Sequence, residues 1–342
     1  MTRRDASLDV LRTMGNVAVV VIHAFTVGQY VIGRGVEYRI WQVACLDVFL
    51  TALPALFFLS GYLVEGPLTF TVWSQKFVRR LKRLVAPYIV WNLIWLIVYF
   101  AAAHFNAHYS ERVAALGLNS LRGAVTHCLG ILSDPLDAPL WYVRSVFCLF
   151  LVYPLFHWMI GGLGVGVLAV LMLGWGLWGG VWGMPLDSHL LPYYAPLMYL
   201  CGMMLRRSRF KISVLADYRV ALIGGLFILL MQFVGRGFAY SLCLSGGALL
   251  FISAALNLSR YLMQSSVWHR LDDCAFFIFA FHFMVCPVLP RLLSRVIDVG
   301  GPGALTFLFA VYVLGGLVLC CACWSVGVRF FPRMFRLLNG QM

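Results

Sequence analysis

Two ionisable residues lie in the first apolar stretch of the chain, LDVLRTMGNVAVVVIHAF at residues 8–25. In a helix, Arg12 and His23 fall on nearly the same face, about 16 Å apart along the axis. An arginine can bind anions, and a histidine can transfer protons near neutral pH. Such groups are costly in hydrocarbon, so this face must contact the protein interior or a water-filled cavity. On the simpler interpretation, Arg12 extends to the membrane surface and His23 is a hydrogen-bonded core residue.

The composition is that of a membrane protein. Of the 342 residues, 62% are hydrophobic and 11% charged, and the mean hydropathy is +0.88. We expect an all-α fold: a polytopic membrane helical bundle of about ten transmembrane helices, forming a single domain over residues 1–342 with no fused soluble domain. The expected spans are 8–28, 43–64, 84–103, 139–160, 164–182, 190–205, 220–235, 239–257, 274–290 and 304–328.

The net charge of +13 reflects topology and not nucleic-acid binding. Of the 26 Lys and Arg residues, 17 fall in the termini and connections on one side of these spans and 7 on the other. Cytoplasmic loops retain basic residues, so both termini are predicted to be cytoplasmic. No spacing of Cys or His resembles a metal site, and the intramembrane cysteines need no role beyond filling space.

The longest predicted connection, residues 104–138, is assigned to the non-cytoplasmic side. Within it, VTHCLGIL at 125–132 is apolar but too short to span a bilayer, which favours a re-entrant or interfacial segment. An ordinary ordered loop is an equally good interpretation.

Four further segments contain polar residues at predicted helices. They are FFLSGYL at 57–63, KFVRRLKRLVAPY at 76–88, APLWYVRSVF at 138–147 and FIFAFHFMVCP at 277–287. Each has a structural explanation: a serine bonding its own helix, a cytoplasmic anchor, a paired arginine and a core histidine.

Taken in order, these segments resemble the acyltransferase 3 family of integral-membrane enzymes, which move acyl groups from coenzyme A thioesters to hydroxyls. The most specific feature of the resemblance is the Arg12–His23 spacing. It is followed along the chain by FFLSGY, by the basic run before Pro87–Tyr88 and by the late aromatic-histidine segment. PLWYVR is similar to the branch containing surface-polysaccharide and enterobacterial-common-antigen O-acetyltransferases. The chain departs from the family where Phe279 replaces a tyrosine three residues before His282.

The resemblance implies an O-acetyltransferase of a bacterial inner membrane. The donor would be acyl-CoA, with acetyl-CoA as the family expectation; the acceptor would be a glycan or glycolipid, and no metal is expected. The implied catalytic residues are His23, as general base, and Arg12. Cytoplasmic cations would bind coenzyme A, and four further residues are candidates for contacts with the acceptor or the oxyanion. The cations are Arg79, Arg80 and Arg83, and the four candidates are Ser60, Trp141, Arg144 and His282.

Two other functions fit the same residues. Buried Arg and His side chains in a helical bundle could form the polar pathway of a transporter or flippase for a glycolipid or a small polar solute. They could also be paired without function in a scaffold for polysaccharide assembly.

Overall fold

The computed structural model describes residues 6–32, 46–130, 133–162, 191–208, 210–234, 237–286, 292 and 303–341. Every regular element in these ranges is helical. Apart from the three-residue helix Val48–Leu50 and short 3₁₀ and π segments, the helices are α1 (Ala6–Ile32), α2 (Ala52–Val64), α3 (Phe70–Arg80), α4 (Ala86–Phe105), α5 (Ala107–Ala115), α6 (Leu121–Leu129), α7 (Trp141–Leu151), α8 (Tyr153–Gly162), α9 (Tyr194–Arg207), α10 (Tyr218–Met231), α11 (Phe238–Leu262), α12 (Ser266–Asp273), α13 (Ala275–Val285), α14 (Ala304–Ala310), α15 (Gly316–Phe330) and α16 (Pro332–Leu338).

The expected class, a helical membrane protein, is confirmed. Among the described residues, four helices are long and apolar enough to cross a membrane, and the pair α7–α8, bent by 54°, could form a fifth span. The four are Ala6–Ala24, Phe70–Phe105, Phe238–Leu262 and Thr306–Phe330. Shorter apolar helices occupy Val48–Val64, Tyr218–Met231 and Ala275–Val285. The expected span 164–182 lies outside the described residues, so the number of ten transmembrane helices stays a prediction.

Helices α2 and α9 pack backbone against backbone. A Cβ atom built on Gly61 would lie 1.9 Å from the Tyr199 carbonyl oxygen, and one on Gly202 would lie 2.0 Å from the Phe58 carbonyl oxygen. Only glycine allows this approach, as is common between membrane helices. The glycine of the FFLSGY segment therefore fixes α2, and with it Ser60, against α9.

Helix α13 is fixed at its first turn by polar side chains from both ends of the chain. Asn16 on α1 donates a hydrogen bond to the Ala275 carbonyl oxygen over 3.1 Å. Asn339, after α16, accepts one from the Phe277 N–H and donates one to the Asp273 carbonyl oxygen. Buried amides that satisfy backbone groups in this way set the register of the helix they contact.

The connection after α4 turns back along that helix. Helices α5 and α6 have nine residues each, about 13 Å and too short to span a bilayer. The Tyr88 hydroxyl, near the start of α4, donates to the Leu129 carbonyl oxygen at the end of α6. Phe105, at the other end of α4, is 17 residues away, or about 25 Å. The described part of the segment predicted to be re-entrant or interfacial thus lies beside the first turn of α4; residues 131 and 132 are outside the described ranges.

Candidate functional site

The two predicted histidines form a pair in the interior. The ring centroids of His23 on α1 and His282 on α13 are 5.2 Å apart, and the planes are inclined by 41°. His282 is fully buried, and Phe283 meets the His23 ring edge-on at 5.1 Å. The sequence singles out both residues, but it contains no signal for a contact across 259 positions.

The hydrogen bonds of His282 define its tautomer. Its Nδ1 lies 3.0 Å from the Ile278 carbonyl oxygen and 2.9 Å from that of Phe279. Only an N–H can face two carbonyl oxygens, so Nδ1 carries the proton, and in the neutral imidazole Nε2 then carries the lone pair. Nε2 is buried and has no hydrogen-bond partner among the described residues. His282 therefore presents an acceptor nitrogen inside the bundle.

A cleft of about 520 Å³ lies between α1, α2, α7 and α13. Its charged or polar lining residues are Arg12, Asn16, Ser60, Arg80, Arg83, Tyr142, Asp272, Asp273, Asn339 and Gln341. Neither histidine lines it. The lining includes Phe279, which precedes His282 by one helical turn, so the pair lies just beyond the cleft.

Arg12 lies in the cleft and is paired with carboxylates. One of its Nη atoms is 3.3 Å from Asp9 Oδ1 and 3.1 Å from Asp272 Oδ1. Thr13 donates to the same Asp272 oxygen over 2.5 Å. The Arg12 charge is therefore partly balanced, unlike that of a free anion-binding group. The structure does not bring Arg12 and His23 together, because three helical turns separate them.

The basic run divides into cleft residues and surface residues. Arg80 and Arg83 line the cleft, and the Arg80 guanidinium also stacks 4.4 Å above the Phe150 ring. Arg79 is exposed and outside the lining. The π-helical turn Leu81–Val85 interrupts the long helix here; such turns occur often at functional sites.

Ser60 bonds a tyrosine and not a base. Its Oγ is 3.0 Å from the Tyr142 hydroxyl, which donates its proton to the Leu56 carbonyl oxygen over 3.1 Å. Ser60 must then be the donor in the shared bond. A nucleophilic serine needs a base that accepts its proton, so this arrangement does not activate Ser60.

Trp141 and Arg144 lie away from the cleft lining. The Trp141 ring packs 6.2 Å from the Phe57 ring. Arg144 Nη1 donates to the carbonyl oxygens of Gly130 and Ser133, the second over 2.9 Å. The arginine thus holds the end of α6 in place.

Sequence reasoning missed three contributors to this site. Tyr142 lies within PLWYVR but was not predicted as a site residue. A tyrosine close to an intramembrane arginine could have indicated it. Asp272 gave none, since its partner Arg12 is 260 positions away. Asn339–Gln341 also line the cleft. They reach it only because they follow α16, and no signal in the sequence indicates this position.

Fold and site together define a helical membrane protein with ionisable side chains gathered in its interior beside an arginine-lined cleft. The family model described as an acyltransferase domain, Acyl_transf_3, matches residues 5–326. The chain therefore belongs to the acyltransferase 3 family, and its class of activity is acyl transfer. No curated protein and no solved structure is significantly similar to the chain.

Within the described ranges, no group of three or more His, Cys, Asp or Glu residues could hold a metal ion.

Proposed function

We propose that this protein is an O-acetyltransferase of a bacterial inner membrane, similar to the branch that modifies surface polysaccharides. It moves an acetyl group from cytoplasmic acetyl-CoA to a hydroxyl of a glycan or glycolipid. The observation that carries the proposal is the contact between half-buried His23 and fully buried His282, placed one helical turn beyond a cleft that three arginines line. Both termini are cytoplasmic in this proposal, and about ten helices cross the membrane.

The cleft suits a donor that has phosphates at one end and a thioester at the other. Coenzyme A phosphates need cations that form bidentate hydrogen bonds. Arg80 and Arg83 line the cleft without an ion pair among the described residues. Arg12 shares its charge with Asp9 and Asp272, so a phosphate there would compete with carboxylates. Arg79, on the surface, adds only long-range attraction.

The thioester arm would extend past Ser60 toward the histidines. Asn16 and Ala275 are joined by a hydrogen bond, and each histidine follows one of them by seven residues, about 10 Å along its helix. The two imidazoles therefore lie at the same depth, above the Asn16 level of the cleft. Only Phe279 and its neighbours separate them from the cleft lining.

In the proposed reaction His23 acts as the general base. It takes the proton of the acceptor hydroxyl while that oxygen attacks the thioester carbonyl carbon. The C–S bond then breaks, and the coenzyme A thiolate leaves and takes the proton back from the imidazolium. General bases contribute about 100- to 10,000-fold to such steps.

His282 supports this base from the second helix. Its Nε2 lone pair faces the interior without a partner and can accept a hydrogen bond from the hydroxyl or from His23. An imidazole held by two backbone carbonyls keeps that orientation, which lowers the cost of aligning the reacting groups.

Coenzyme A release tests the proposal. The full-length protein in liposomes is given acetyl-CoA and a bacterial glycolipid extract, and free thiol is measured for the wild type, His23→Ala, Arg12→Ala and His282→Asn. We expect His23→Ala to lose about 100-fold or more and Arg12→Ala to require more acetyl-CoA. His104→Ala is the matched control, because that histidine is exposed, and it should retain the wild-type rate.

The alternatives give different results. A folded His23→Ala protein with the wild-type rate would remove His23 as the base. Glycolipid movement without coenzyme A release would indicate a flippase, and absence of both acetyl-CoA binding and release would refute acetyl-CoA as the donor.

A further inference from the structure

A second group of ionisable side chains lies in the interior, on the other side of α7 from the cleft. Asp137, at the end of the returning connection, is fully buried, and Arg144 is 93% buried. Neither carboxylate oxygen of Asp137 has a hydrogen-bond partner among the described residues, and Nε and Nη2 of Arg144 also have none. The Trp95 indole interacts with Asp137 without hydrogen-bonding geometry.

The backbone around this group is firmly held. Asn92 accepts a hydrogen bond from the Asp137 N–H over 3.1 Å and donates one to the Tyr88 carbonyl oxygen over 2.9 Å. The Tyr88 hydroxyl interacts electrostatically with both Arg144 and Asp137. The three side chains thus face one region, and the backbone bonds keep Asp137 from turning out of it.

Asp137 is connected to the histidine pair through aromatic rings on α4 and α13. Asn92 accepts the hydrogen bond from the Asp137 backbone N–H, and it lies on α4 between Trp91 and Trp95. The Trp91 ring is 5.6 Å from that of Phe277, and the Trp95 ring is 6.0 Å from that of Phe283. Phe283 is the residue that contacts the His23 ring. Two aromatic rings therefore separate Asp137 from the proposed base.

Burying the Asp137 carboxyl and two guanidinium nitrogens of Arg144 without hydrogen bonds costs free energy. Buried polar groups of this kind require an explanation such as a ligand or a catalytic role. The chemistry of the group restricts the ligand: the Asp137 carboxyl accepts hydrogen bonds, the Arg144 guanidinium donates them and repels a cation, and an apolar group satisfies neither. A neutral hydroxyl can donate to the carboxyl and accept from the guanidinium.

We propose that Tyr88, Asp137 and Arg144 form a binding site for hydroxyl groups of a neutral, polyhydroxylated acceptor, beside the histidine pair. The site holds hydroxyls other than the one that reacts, so it orients the acceptor and takes no part in the acyl transfer itself. This assignment rests on the proposed function.

The test separates acceptor binding from both chemistry and folding. The full-length protein in liposomes is given acetyl-CoA with and without a bacterial glycolipid extract, and coenzyme A release and the melting temperature are recorded. The variants are Asp137→Asn, which keeps the shape and one acceptor oxygen, and Asp137→Leu, which is apolar and of similar shape. Glu111→Gln is the matched control, an exposed carboxylate on α5 of the same connection.

For Asp137→Leu we expect the half-saturating concentration of the extract to rise about tenfold, since the hydrogen bonds between the acceptor and the carboxyl are lost. Asp137→Asn should give a smaller rise. The half-saturating acetyl-CoA concentration and the acceptor-free hydrolysis of acetyl-CoA should not change. The melting temperature of Asp137→Leu should stay level or rise, because a buried carboxyl without hydrogen bonds is removed.

Other results overturn the assignment. An unchanged requirement for the extract would mean that no acceptor contacts Asp137, and a fall in melting temperature together with hydrolysis would make Asp137 a structural residue. Wild-type hydrolysis that the extract does not stimulate would exclude a glycolipid acceptor here while leaving acetyl-CoA as donor. A wild-type protein that neither binds nor hydrolyses acetyl-CoA would refute the proposed function itself, and this site with it.

Discussion

The side chain of Asn16 donates a hydrogen bond over 3.1 Å to the backbone carbonyl oxygen of Ala275, 259 positions later in the chain. The donor is buried, and the acceptor opens the first turn of α13. Seven residues further along each helix stands a histidine, and the two imidazoles are in contact. One buried hydrogen bond therefore sets the register in which the candidate catalytic residues meet.

Replacing Asn16 by alanine should reduce turnover by changing this register. A buried backbone acceptor loses its partner, which lowers the free energy of unfolding by about 1–3 kcal/mol. We expect kcat for coenzyme A release to fall more than the KM for acetyl-CoA rises. Asn257→Ala is the control, because Asn257 also bonds a backbone carbonyl, that of Ala216. Equal loss of turnover in both variants would make the effect one of stability alone.

Ser60→Ala should leave most of the activity. The Ser60 hydroxyl donates to Tyr142 and faces no base among the described residues, so it is not prepared as a nucleophile. We expect no acyl-enzyme when the protein is mixed with radiolabelled acetyl-CoA and digested. A labelled peptide containing Ser60, absent from the Ser60→Ala digest, would contradict this and require a double-displacement mechanism.

Local sequence pattern was enough to predict the class of fold and the residues that carry charge into it. Apolar runs identify membrane helices because the bilayer requires every backbone group to bond within its own helix. The face shared by Arg12 and His23 follows from helical periodicity alone. The spacing also places Arg12 and His23 far apart along α1, as the structure has them.

What the sequence could not predict depends on contacts between distant segments. Arg12 bonds Asp272, and Asn339 bonds the start of α13 at Phe277. Each contact joins positions more than 60 residues apart, whereas helical periodicity relates only residues of one helix. The return of residues 121–130 and 133–137 toward α4 was one of two open interpretations. Arg144 was a substrate candidate by type, but nothing in the sequence indicated that its Nη1 would also bond the backbone of that connection.

Gly61→Ala should destabilise the protein sharply, because the added Cβ would lie 1.9 Å from a backbone oxygen of α9. Backbone cannot yield as a side-chain end can, so α2 and α9 must separate, at a cost of about 1–3 kcal/mol or more. Gly225→Ala is the matched control, since a Cβ on that helical glycine meets nothing within 4 Å. It should be neutral or stabilising, because alanine favours helix over glycine by about 1 kcal/mol. The melting temperatures of both variants are measured in detergent. Equal values for the two variants would argue against close packing of α2 on α9.

Oxidation should join Cys274 to Cys321 and so fix α13 to α15. Their Sγ atoms are 3.7 Å apart, and a disulfide requires about 2.05 Å, so a small shift of the side chains suffices. Copper phenanthroline takes two electrons from the thiols, two protons are released, and mass spectrometry identifies the linked peptides. Cys274→Ser should abolish the link, whereas Cys201→Ser, a substitution on α9, should not. Because the link lies at the start of α13, two turns before His282, we expect the oxidised protein to keep its rate of coenzyme A release. A loss of rate that a reducing agent restores would instead show that α13 moves against α15 during turnover.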